Sequence, residues 1–131
     1  MNRVWFGLLG AGAVIAVACS SDPTGNGSGC GGNGGNVVVI TAHDNHTFTP
    51  LNATVSTGQQ ICFQNLGSVV HTVDPDSGAG ADSIWFQNYS ASEALPPNLP
   101  YQITLPVGNY NYHCHIHGAP GSGMYGTIAV R

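Results

Sequence analysis

Tyr110-Asn111-Tyr112-His113-Cys114-His115-Ile116-His117-Gly118-Ala119-Pro120-Gly121-Ser122-Gly123-Met124 places a thiol, three imidazoles and a thioether in one strand end and the loop after it. Alternation puts Tyr110, Tyr112 and Cys114 on one face, so tyrosines that pack a core would carry the Cys114 sulfur into it. A thiolate is a strong soft ligand, an imidazole nitrogen is borderline and a thioether is weak. Cys114, His117 and Met124 therefore form a graded set suited to a copper ion that changes oxidation state. One more imidazole must come from elsewhere, and His71, in Asn65-Leu66-Gly67-Ser68-Val69-Val70-His71-Thr72-Val73, is the candidate. Taken singly, Cys114 reads as a buried structural thiol, His117 as a loop histidine and Met124 as core filler. Only their joint spacing points to a metal.

The two segments together resemble the cupredoxins of the plastocyanin and pseudoazurin type, over most of residues 37 to 131. Asp44, Phe48, Pro50, Val55, Gly58, Ile61, Phe63 and Asn65, followed by His71-Thr72-Val73, are similar to that family's N-terminal half. Gly108, Tyr110, Tyr112, Cys114 and His117 at their spacing, then Gly123-Met124-Tyr125-Gly126-Thr127-Ile128, are similar to its C-terminal half. The resemblance implies an all-β Greek-key sandwich or barrel of about seven to eight strands. It also implies one type 1 (blue) copper ion cycling between Cu(I) and Cu(II), with His71, Cys114 and His117 equatorial and Met124 axial. Asn65 would tie the two ligand loops together with its side chain, and the N–H of Thr72 would approach the Cys114 sulfur. The implied activity is one-electron carriage between extracytoplasmic redox proteins, such as a c-type cytochrome or an oxidase or reductase, with no substrate chemistry. Six residues separate His117 from Met124 here, where plastocyanin-like proteins usually have four.

Upstream of this domain the chain changes character. Residues 1–18 carry one positive charge, at Arg3, and then run apolar, which reads as a secretory signal too short for a comfortable transmembrane span. Ala16-Val17-Ala18-Cys19-Ser20 resembles a bacterial lipobox, in which Cys19 is lipidated and begins the mature chain. Residues 19–36 are a flexible Gly/Ser/Asn-rich tether with nothing to anchor them to a core, and 37–131 form the single copper domain. The expected place is the periplasmic or cell-surface side, held to the membrane by lipid alone.

Export sorts the cysteines by role, because disulfides survive outside the cytoplasm. With Cys19 assigned to lipid and Cys114 to metal, Cys30 and Cys62 remain, either bridged or as two independent thiols. Cys62 alternates with Ile61 and Phe63, so it should face away from the core that those two enter.

Short apolar or alternating runs recur between turn signals at 37–41, 54–56, 60–64, 69–73, 101–105, 109–114 and 126–130, the pattern of a sandwich. Residues 77–100, with Gly78, Gly80, Pro96, Pro97 and Pro100, read as mostly loop, with a short strand at Ile84-Trp85-Phe86. There is no lysine, and losing Arg3 leaves six carboxylates against Arg131, which argues against nucleic acid and fits steering toward a basic redox partner. The protein is expected to act as a monomer.

Electrons should leave through His117, with His113, facing outward by alternation, as the second route. His113-Cys114-His115 also resembles the last domain of multicopper oxidases, whose trinuclear cluster needs His-x-His pairs from another domain that this chain lacks. His43 and His46 read as solvated loop residues. Two alternatives stay open: a copper storage or delivery protein, and a reductase or oxidase subunit with a second copper built from His43, His46, His113 or His115 across an oligomer interface.

Overall fold

A computed structural model describes Cys30 and residues 36–76, 84, 85, 87 and 93–131. The signal, the Cys19 lipobox and most of the tether lie outside the described residues. Nine strands form among the described residues: β1 (Val37–His43), β2 (Thr47–Thr49), β3 (Asn52–Val55), β4 (Gln60–Asn65), β5 (His71–Pro75), β6 (Glu93–Leu95), β7 (Tyr101–Ile103), β8 (Gly108–Ala119) and β9 (Ser122–Val130). They make a four-stranded sheet in the order β2-β1-β4-β7 and a five-stranded sheet in the order β3-β9-β8-β5-β6.

Alternation sets what each strand buries. On β1 and β4, Ile40, Ala42, Ile61 and Phe63 point into the core; on β8 and β9, Tyr110, Tyr112, Cys114, Met124, Ile128 and Val130 meet them from the other sheet. Phe48 and Phe63 stand edge-on to Tyr112, with ring centroids 5.0 and 5.2 Å away, so aromatic contact fills the middle of the sandwich. Gly126, paired with Tyr112 across the β8–β9 ladder, has no room for a side chain, because a Cβ there would run into the Tyr112 hydroxyl and ring.

The strand register decides where the loops gather. β1 runs parallel to β4, so the β1–β2 turn and the β4–β5 loop share one end of the sandwich, and β7, antiparallel to β4, starts there too. His71 begins β5 at this end, and Cys114 and His117 lie in the distal part of β8.

Three expectations change. The stretch 77–100 is not simply loop, because Glu93–Leu95 pairs with β5, Leu95 lying opposite His71. Its short extended run hid it among the prolines. Ile84, Trp85 and Gln87 have helical rather than strand backbone, which drops Trp85 into the core and leaves Ile84 at the surface. Thr47–Thr49 is a strand too brief for the alternation pattern to show, and with β6 it makes nine strands among the described residues.

Cys62 does point away from Ile61 and Phe63, yet it is fully buried, because Cys30 lies on it in a disulfide with Cα atoms 5.7 Å apart. The Cys30 N–H donates to Gln64 Oε1 at 3.3 Å, a second attachment of this segment to the outer face of β4.

Gly126→Ala should destabilise the fold by about 1–3 kcal/mol through overpacking. The Tyr112 hydroxyl is buried with no hydrogen-bond partner among the described residues, so Tyr112→Phe should recover part of that loss. Denaturant unfolding of the two single variants and the double variant checks this, and strictly additive losses would contradict the contact.

Candidate metal centre

Three donor atoms converge where β5 begins and β8 breaks its register. His71 Nδ1 and His117 Nδ1 are 3.1 Å apart, and Cys114 Sγ lies 3.9 Å from the first and 3.5 Å from the second. The point equidistant from all three lies about 2.0 Å from each, close to an ordinary metal–imidazole bond and somewhat inside a metal–thiolate one. Among the described residues these three form the one group of His, Cys, Asp or Glu donors close enough to share an ion. His71 and Cys114 are fully buried and His117 is partly exposed.

The local chain explains the convergence. β8 and β9 pair in step from Gly108–Val130 to His113–Tyr125 and resume at Gly118–Gly123, so Cys114, His115, Ile116 and His117 face Met124 alone. The surplus residues bulge, turning both Cys114 and His117 toward His71. The six residues between His117 and Met124 are taken up by a hairpin: Ala119 pairs with Ser122, and Pro120-Gly121 makes the turn, with φ +67° at Gly121. Pro followed by a left-handed Gly suits a type II turn. The longer loop therefore returns Met124 to the core, fully buried and near the three donors. A Cβ on Gly118 would sit 2.5 Å from the Met124 nitrogen, so only glycine permits this closeness.

Around the donors, the Thr72 N–H donates to Cys114 Sγ at 3.3 Å. The Thr72 hydroxyl donates to the buried Asp74 carboxylate, which also accepts from the His115 N–H at 3.3 Å and faces His115 Nδ1 at 3.0 Å. Asn65 binds differently from what the resemblance implied: its Nδ2 donates to the carbonyls of Val69 at 2.7 Å and Leu95 at 3.0 Å, and its Oδ1 accepts from Gly67 N–H. It shapes the loop into His71 and ties it to β6; none of its bonds reaches the Cys114–Met124 hairpin.

A thiolate, two imidazoles and a nearby thioether in a largely dry site suit one copper ion better than a hard cation, which would want oxygen donors. Once bound, that ion would supply a reversible one-electron change.

No protein-family model matches the chain. Among curated proteins it is 31% identical to the chloroplastic plastocyanin of Oryza sativa subsp. indica, over 98% of this chain and 80% of that one. The chain is a plastocyanin-like cupredoxin. The plastocyanin of Mercurialis perennis is 32% identical over 63% of this chain and 86% of its own. The same fold is seen in a mutant plastocyanin of fern (TM-score 0.60, 23% identity, 72% of this chain and all of that one). It is seen again in a purple cupredoxin from Nitrosopumilus maritimus (TM-score 0.54, 20% identity, 72% and 99%).

Within this cupredoxin three of the other four histidines have occupations of their own. His113 Nδ1 is 2.6 Å from Asp76 Oδ1, and its side chain is only 13% exposed, so it is paired and largely covered, not open to solvent as alternation suggested. His115 is held by Asp74. His46, expected to be merely solvated, lies at the surface but stacks face to face on His117, with centroids 4.1 Å apart and planes within 9°. Its spacing from His43 gave no hint of this; the left-handed backbone that a turn ending in Asn-His permits was the available signal.

Burial, then the charge of His117 and then that of His46, holds the His71 imidazole below its ordinary pKa, against a smaller opposite pull from Asp44 and the His43 carbonyl. Burial, then His46, does the same to His117. Folding therefore keeps both donors neutral at a pH where the unfolded chain takes up protons, below about 6.5. The metal-free protein should lose stability as the pH falls through about 6.5, and this loss should level off once the folded rings also protonate. Urea midpoints measured across that range check it, and a midpoint that rises on acidification would contradict it.

Proposed function

We propose that this cupredoxin is a one-electron carrier, with copper bound equatorially by His71, Cys114 and His117 and axially by Met124. The observation that carries the reading is the donor triangle, which the bulge in β8 and the buried start of β5 close to metal-bonding size. Donors held by a strand ladder on both sides of the bulge have little freedom to rearrange when the ion changes oxidation state, which favours fast electron transfer over metal exchange.

The end of the sandwich that carries the donors supports electron exit at His117. His117 is the one partly exposed donor, and exposed apolar residues stand in the loops at its end: Leu66 and Val70 before His71, Leu99 before β7, and Ile116 beside it. Uncharged Gly118-Ala119-Pro120-Gly121 completes a surface on which another redox protein could seat closely. The covered His113 is the poorer route.

Export supports the same role, since the Cys30–Cys62 bridge suits an oxidising compartment. Residues 1–18 as signal, Cys19 as lipid-bearing first residue and a Gly-rich tether would let the domain reach partners from a membrane surface. Cys19→Ser should move the protein from the membrane to the soluble fraction; wild-type protein found wholly soluble would reject the anchor.

The copper-loaded oxidised protein should carry an intense sulfur-to-copper absorption and show one reversible one-electron wave in voltammetry, with one copper per chain. Cys114→Ser should abolish the absorption. Met124→Leu should raise the potential and Met124→Gln lower it, both keeping the colour, because the three strong donors remain. An unchanged potential in both would reduce Met124 to packing, and a wild-type protein that binds copper without a reversible wave would remove the electron-carrier reading.

A further inference from the structure

The β1–β2 turn is built with more care than a connection between two short strands requires. Its four residues, His43-Asp44-Asn45-His46, close with the His46 N–H donating to the His43 carbonyl at 2.9 Å. His46 itself holds φ +61°, a left-handed conformation uncommon outside glycine. Asp44 reaches from the turn to the β4–β5 loop, its carboxylate accepting from the N–H groups of Ser68 at 2.9 Å and Val69 at 3.1 Å and from the Ser68 hydroxyl at 3.1 Å. Gly67 must be glycine for this latch, because a Cβ there would collide with the Asp44 carboxylate.

The latch fixes the turn to the loop that carries His71, and the left-handed residue turns the His46 ring over the metal site. That ring lies parallel to His117 at 4.1 Å and edge-on to His71 at 6.2 Å. A parallel ring presents its face to His117, not a nitrogen to the ion, and His46 is not among the convergent donors. Of the three donors, His117 alone is partly exposed, and its ring therefore has the least protein packed around it.

We infer that His46 is a positioning residue, an aromatic cover that clamps the His117 imidazole by stacking and holds it in its metal-binding orientation. The inference rests on the copper reading above for its consequence, though not for its geometry. Without the cover, His117 can rotate off the ion from the solvent side, and copper leaves faster. Asp44 and Gly67 serve the same end by keeping the turn in place.

The test uses the full chain with His46→Asn and His46→Phe. Asn tolerates the left-handed backbone but removes the ring, and Phe keeps a stacking face without a nitrogen. Copper loss from the reduced protein to an excess Cu(I) chelator should be about two- to tenfold faster in His46→Asn, the range that one aromatic pair supplies. His46→Phe should match the wild type. In NMR spectra the His117 ring protons should carry an upfield ring-current shift in wild type and His46→Phe that His46→Asn lacks. Equal copper loss in wild type and His46→Asn, or a His46→Phe that keeps the upfield His117 shift yet loses copper as fast as His46→Asn, would overturn the clamp. If the wild type bound no copper, the functional reading would fail separately, and the His117 ring signals of the metal-free chain would decide the clamp: a shift lost only in His46→Asn supports it, and identical signals in all three overturn it.

Discussion

Between His113 and Gly118, strand β8 carries four residues where β9 offers only Met124 to face them. A regular ladder would send Cys114 and His117, three apart, to opposite faces of the sheet. The mismatch cancels that alternation and brings both toward His71. The ladder that resumes at Gly118–Gly123 prevents the surplus from relaxing into a floppy loop, and Gly123, at φ +69° and tight against the His117 carbonyl, allows the strands to rejoin. The rest of the sandwich secures the two ends of this irregularity. Tyr110 and Tyr112 anchor β8 in the core below it, and the Pro120-Gly121 turn closes it above.

Given that bulge, the polar groups around the site divide into two holdings. Thr72 donates its N–H to the Cys114 sulfur and its hydroxyl to Asp74, which in turn holds the backbone and side chain of His115. β5 and β8 are thereby pinned together at Cys114 and His115. Asn65 and Asp44 shape the loop before His71, the first from within the sheet and the second from the neighbouring turn. Such outer contacts orient ligands and tune the metal they hold.

The runs 37–41, 60–64, 69–73, 109–114 and 126–130 are legible in the sequence because alternation over several residues leaves a repeating pattern, whereas the continuation of β8 to Ala119 and the start of β9 at Ser122 fall in a stretch that reads as loop. The ligand set was legible for a different reason: few roles other than metal binding need Cys, His and Met at that spacing with a second His upstream. What escaped were features that live between segments. β6 is three residues long and exists because β5 offers it an edge. The Asn65 bonds depend on where Leu95 arrives, which no local pattern states. His46 reads as solvated in the sequence because its importance comes from a ring 71 residues later, across a turn whose placement depends on Asp44 meeting Ser68 and Val69. The Met124 loop looked long by count alone, and only its pairing shows that the extra residues form a hairpin which leaves Met124 at the site.

X-ray absorption at the copper edge of the loaded protein tests the central claim most directly, because it counts the donors without regard to fold. The account predicts one short sulfur scatterer and two imidazole nitrogens in each oxidation state, with distances that change little on reduction. A shell of nitrogen and oxygen alone, or a donor set that is replaced on reduction, would contradict it.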